Sequence, residues 1–134
     1  MSIKMKFVRV IVKKMSKGMF DTDQIDIERI RGVLQKAYAG HKPEKGVKID
    51  FVNYDGVEVA ICKPNNQTSE NIVYYVHGGG LVTGDRHTAL PYTSQLALAT
   101  GCRVVSCSYR LAPEDPFPAG FNDSYSVYKH KEVY

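Results

Sequence analysis

The stretch IVYYVHGGGLVTGD, residues 72–85, decides how this 134-residue chain is read. Ile72 to Val76 is almost purely apolar, as a strand buried on both faces requires. It runs directly into His77-Gly78-Gly79-Gly80. Consecutive glycines lose much conformational freedom on folding, so they usually serve a backbone purpose. One purpose is a nest of N–H groups turned toward a single point, which binds an anion or a developing oxyanion. The other is a tight turn from strand to loop, where glycine permits positive φ. The glycines alone do not separate these two.

Downstream, Thr88 to Ala99 carries a helical register, with Leu90, Thr93, Leu96, Ala97 and Thr100 aligned. Pro91 falls in the first turn of that predicted helix, where proline is tolerated. Arg103 to Tyr109 (RVVSCSY) predicts a strand, and Leu111 to Gly120 (LAPEDPFPAG) an ordered, proline-rich loop. Phe121 to Tyr134 suits a final helix. Upstream, Val47 to Tyr54 alternates as a strand, Asp55-Gly56 is a turn signal, and Val57 to Cys62 is a second strand ended by Lys63-Pro64. Ile27, Ile30, Val33, Leu34, Ala37 and Tyr38 form an amphipathic stripe closed by Gly40. Met5, Val8, Val12, Met15 and Met19 form another. That first stripe predicts a helix packed on the body; a basic helix on an anionic lipid surface is the second reading. The order α-α-β-β-β-α-β-α predicts an α/β sheet protein, an antiparallel hairpin followed by a right-handed βαβ crossover.

Composition sets the outer limits. Hydrophobic residues are 43% and charged residues 24%, ordinary for one soluble domain. No run of about 18 apolar residues predicts a membrane span, and Phe7 to Val12, broken by Arg9, makes no signal-peptide core. Of 18 basic residues, Lys4, Lys6, Arg9, Lys13, Lys14 and Lys17 precede residue 20 with no acid among them. The other 12 meet 14 acids, so the body has no basic excess and nucleic-acid binding is not expected. Cys62, Cys102 and Cys107 form no C-x-x-C pair, which suggests reduced thiols in a cytoplasmic protein.

Nucleotide fingerprints fail. Gly84 comes one residue too late for G-x-G-x-x-G, and Ser108-Tyr109 stand where a ribose-binding acid belongs. Asp85-Arg86-His87 lacks metal-ligand spacing, so neither metal nor cofactor is expected. Ser106 and Ser108 lie in a predicted strand, without the strained turn that exposes a nucleophile. His41, His87 and His130 have no placed partner, and nothing supports Cys107 as a nucleophile.

HGGGLVTGD at 77–85 followed by YRLAPEDPFPAG at 109–120 resembles the hormone-sensitive-lipase family of α/β hydrolases, which includes acetyl esterases and other carboxylesterases. The resemblance covers about residues 47–130. It implies a partial α/β-hydrolase fold: a three-layer, mostly parallel sheet with an N-terminal antiparallel hairpin, plus two N-terminal cap helices. Residues 1–134 then form a single truncated domain, with cap helices in 1–45 and the first half of the core in 46–134. Gly79 and Gly80 would donate N–H groups to the oxyanion of a tetrahedral intermediate. Gly78 would let the loop pass close to substrate. His77 would orient the loop without acting as base, and Tyr109 to Pro118 would form a scaffold near the pocket wall.

Two departures matter. The family's DYR is Ser108-Tyr109-Arg110 here, a loss expected to be structural. No Gly-x-Ser-x-Gly occurs, and the chain stops at Tyr134, before the family's GDSAGG elbow. No catalytic nucleophile, acid or base is therefore expected within these residues. The resemblance implies the oxyanion-bearing portion of a short-chain ester hydrolase. The alternative is a non-catalytic remnant that binds a small ligand or self-associates. Without its neighbour, Ile72 to Val76 would present an open edge. That predicts a homodimer or association with a separate C-terminal half. Membrane association is not expected.

Overall fold

The computed structural model describes residues 26–130, apart from residue 39. The predicted helix over Met5–Met19 and the last residues of the predicted final helix lie outside the described residues. The elements are α1 (Ile27–Tyr38), β1 (Val47–Tyr54), β2 (Val57–Pro64), β3 (Ile72–Tyr75), α2 (Arg86–Thr100), β4 (Arg103–Ser108) and α3 (Ala119–Lys129).

The hairpin forms where the turn chemistry demands it. Asp55 and Gly56 both take positive φ, 53° and 88°, which matches the twist of two tightly joined strands. The Asn53 side chain accepts from the Gly56 N–H at 2.9 Å. Register then runs from Tyr54 opposite Val57 to Val47 opposite Pro64. β2 pairs next with β4, also antiparallel, and β4 pairs with β3 in parallel. The sheet order is β1-β2-β4-β3, so β3 is an edge strand among the described residues. The sheet is mixed: the parallel character expected from the sequence is confined to the β3–β4 pair.

Alternation along β2 and β4 sorts the core into two layers. Ala60, Cys62 and Val104 meet Leu90 and Ala97 of α2 on one face. Val59, Ile61, Val105 and Cys107 meet Tyr109 and Val127 of α3 on the other. This gives the helix–sheet–helix layering expected, because strands apolar on both faces must be covered twice.

α2 begins two residues earlier than the apolar register suggests. Asp85 is its N-cap: the carboxylate accepts from the Thr88 N–H at 2.7 Å while the Thr88 hydroxyl accepts from the Asp85 N–H at 2.9 Å. This reciprocal pair is a capping box, and it moves Pro91 beyond the first turn. Gly101 closes the helix in the left-handed region. Cys62, Cys102 and Cys107 are free and buried, as small hydrophobes. No described helix is long and apolar enough to cross a membrane.

Candidate active-site loop

Gly78, Gly79 and Gly80 follow β3 at its C-terminal end, the end where open α/β sheets bind ligands. The backbone there is unusual. Gly79 has φ 133°, Gly80 63° and Gly84 107°. A Cβ on Gly79 would run into the Thr83 carbonyl, so this position excludes any side chain. Leu81 also takes positive φ, 64°, at a cost of about 1–2 kcal/mol for a residue with a side chain. The Gly79 carbonyl accepts from the Val82 N–H at 3.2 Å. Among the described residues, no acceptor takes the N–H of Gly79 or Gly80.

His77 is 6% exposed and packed flat on Tyr109, with ring centroids 4.1 Å apart and 9° between planes. Its Nδ1 lies 3.0 Å from the Gly78 carbonyl, and its Nε2 has no hydrogen-bond partner among the described residues. Burial pushes the imidazole pKa down, partly opposed by the Gly78 carbonyl and Asp85.

The proline-rich segment is tied to the loop directly. The Leu81 carbonyl accepts from the Ala112 N–H at 2.9 Å. Arg110 donates from its backbone and side chain to Asp123 of α3, three bonds at 2.9 Å. That pairing holds the buried Asp123 carboxyl below its usual range. Gly120 lets α3 approach: a Cβ there would stand 2.7 Å from the Arg110 carbonyl oxygen. Ser108 stands where the resembling family has an acid. Its hydroxyl accepts from the Arg86 N–H at 2.9 Å, so the position serves the start of α2.

Sequence reasoning missed Arg31. This α1 side chain donates to the Val82 carbonyl at 2.7 Å and the Ala112 carbonyl at 3.0 Å. It also forks onto Glu114 at 2.8 and 2.7 Å. Nothing in the sequence links residues this far apart. The fork pulls the Glu114 carboxyl down to about 2.

Two clefts flank the loop. One, of about 420 Å³, lies between α1, the glycines and α2, and includes Arg31, Tyr38, His77, Gly79 and Tyr92. The other, of about 580 Å³, is apolar and runs from Gly80 and Leu81 to Phe121, Tyr125 and Tyr128 of α3.

The other candidates are not brought together. Ser106 is fully buried in β4 and its hydroxyl has no hydrogen-bond partner among the described residues. The Cys107 sulfur meets the hydroxyls of Tyr74 at 3.2 Å and Ser124 at 3.8 Å, and burial pushes the thiol pKa up. His41 lies against Tyr38, His87 against Phe51, and His130 stacks on Tyr54. No cluster of metal-ligating side chains occurs among the described residues.

Known proteins share this fold. The profile of an alpha/beta hydrolase fold family matches residues 73–132. Carboxylesterase NlhH of Mycobacterium tuberculosis is 33% identical over 109 residues, 78% of this chain and 34% of that protein. Versiconal hemiacetal acetate esterase of Aspergillus parasiticus is 31% identical over 100 residues, 74% of this chain and 32% of that protein. An esterase crystal structure from the bacterial hormone-sensitive lipase family superposes with a TM-score of 0.75 at 28% identity. That superposition covers 96% of this chain and 42% of the esterase. The chain thus spans about a third of the length of these curated relatives. With a family match over residues 73–132, which include the glycine loop and the proline-rich segment, and a superposition on a hormone-sensitive-lipase-family esterase over most of its length, the chain belongs to the α/β-hydrolase fold family, in its hormone-sensitive-lipase branch.

Proposed function

We propose that this chain supplies the oxyanion-binding portion of a carboxylic-ester hydrolase that acts on short-chain esters through a serine acyl-enzyme. The observation that carries the reading is the pair of N–H groups on Gly79 and Gly80, without acceptors among the described residues, at the C-terminal end of β3. Donors fixed in advance stabilise negative charge as it develops on a carbonyl oxygen, with no reorganisation at the moment of reaction. Losing one such donor typically costs about 2.7–4 kcal/mol of transition-state stabilisation. His77 and Gly78 hold the loop in shape. The nucleophile, acid and base come from outside these 134 residues, since no Gly-x-Ser-x-Gly is present. The chain alone is inactive on this reading.

The test is a titration of the isotopically labelled chain with acetate, a small oxyanion, followed by amide NMR. The amides of Gly79 and Gly80 are expected to shift in a saturable way. Resonances there that do not respond, while the fold is intact, overturn the reading.

Binding without catalysis is the second reading. It is favoured by the cleft of about 420 Å³ beside the loop, a space sized for a small molecule that Tyr38 and Tyr92 line together with Gly78 and Gly79. Assembly follows from the open edge of β3 and the apolar cleft beside it: a homodimer, or union with a separate C-terminal half. A cytoplasmic setting fits the three free cysteines.

A further inference from the structure

We propose that Arg31 is the positioning residue of the glycine loop, a guanidinium on α1 that fixes the loop's backbone and locks it to the proline-rich segment. Its functional meaning rests on the reading of Gly79 and Gly80 as oxyanion donors.

The guanidinium has five N–H donors, and all five are used. Nε donates to the Val82 carbonyl at 2.7 Å. Nη1 donates to Glu114 at 2.8 Å and Glu28 at 3.0 Å. Nη2 donates to Glu114 at 2.7 Å and the Ala112 carbonyl at 3.0 Å. Three segments distant in sequence therefore meet at one planar group. A lysine ammonium, with three donors and no fixed plane, cannot satisfy them together.

The place where Arg31 acts is the place that most needs holding. Leu81 is a non-glycine residue in the left-handed region, immediately after Gly80. Strained backbone of this kind persists only where its surroundings over-determine it. The Leu81 carbonyl is bound by the Ala112 N–H, and the next carbonyl, of Val82, by Arg31. Ala112 is itself bound by Arg31 through its own carbonyl. Removing the guanidinium frees both sides of the clasp at once. Arg31 also lines the same cleft as Gly79, so α1 and the loop respond as one unit to whatever enters between them.

The experiment is residue-resolved amide hydrogen exchange on the full 134-residue chain. It compares the unaltered protein with Arg31→Met, Arg31→Lys and Glu114→Gln. Loss of charge-assisted hydrogen bonds should speed exchange at Val82 and Ala112 by about tenfold or more in Arg31→Met. Exchange in β2 and β4 should stay unchanged. Arg31→Lys should keep α1 protected yet leave the loop loosened, and Glu114→Gln should give a smaller effect of the same pattern. The Gly79 and Gly80 resonances should shift in step with the loss. Loop exchange unaltered in Arg31→Met overturns the proposal, as does loosening confined to α1. If Arg31→Met loosens the whole sheet, Arg31→Lys decides. A loop-specific change supports the proposal, and a uniform change or none overturns it. No ester or anion enters this measurement. A negative result therefore removes Arg31's role while the acetate titration still decides the oxyanion reading.

Discussion

Tyr109 holds His77 twice: its ring stacks on the imidazole at 4.1 Å, and its hydroxyl donates to the His77 carbonyl at 2.7 Å. The last residue before the glycines is thus fixed at side chain and backbone by the residue that follows β4. Tyr109→Phe keeps the stack and removes the bond. We expect a loss of about 1 kcal/mol in chemical denaturation, the usual net worth of one buried hydrogen bond.

The same burial gives a pH signature. Because the folded imidazole pKa lies below the ordinary value of 6.5, the unfolded chain binds the proton more readily. The contribution of neutral His77 is therefore complete above about pH 6.5 and declines as pH falls through the lower folded value. His77→Gln should flatten stability against pH across that window. Urea midpoints measured from pH 7.5 to 5 decide it.

Glu114 titrates lower. Its folded pKa is depressed to about 2 from 4.5 by Arg31. The stabilisation is present above pH 4.5 and disappears as pH falls toward 2. Salt screens such exposed pairs, so the acid-induced change should shrink at high ionic strength. The Glu114 carboxyl chemical shift should follow this titration in the unaltered chain, and Glu114→Gln should remove the matching pH dependence of loop exchange.

Adjacent glycines should differ sharply. Gly80→Ala meets no atom within 4 Å and carries only the left-handed backbone cost, about 1 kcal/mol. Gly79→Ala drives its methyl into the Thr83 carbonyl, so the loop itself must move, at about 2 kcal/mol or more. Thermal melts separate them, and the acetate response should survive only in Gly80→Ala.

The edge strand and the apolar cleft predict association. Phe121 and Tyr125 on α3 are 60% and 48% exposed and stack on each other. Light scattering at micromolar concentration should report more than 15.0 kDa for the chain. Phe121→Asp should shift it toward the monomer. A monomer for the unaltered chain counts against self-association.

The strands, the hairpin turn and the position of the glycines were legible because each rests on local rules: alternation, positive φ at Asp55-Gly56, an apolar run before His77. The start of α2 was misjudged because apolar register marks a buried face, and Asp85 caps the helix before that face begins. The Asp85…Thr88 spacing was an available signal, close to the Ser/Thr-x-x-Glu form of a capping box. Arg31, Glu114 and Asp123 were not legible as partners. Their pairings depend on which loops the sheet order brings together, and spacing along the chain carries no trace of that.

Ser108 has an electrostatic consequence. Residues at the positive end of α2, Thr88 and Ala89, line the cleft that Gly79 lines, and the first N–H of the helix is answered by a neutral hydroxyl rather than a carboxylate. Among the described residues, Asp85 is the carboxylate that caps that end. With a hydroxyl at 108, the start of α2 carries one formal negative charge fewer than an acid at that position would give it.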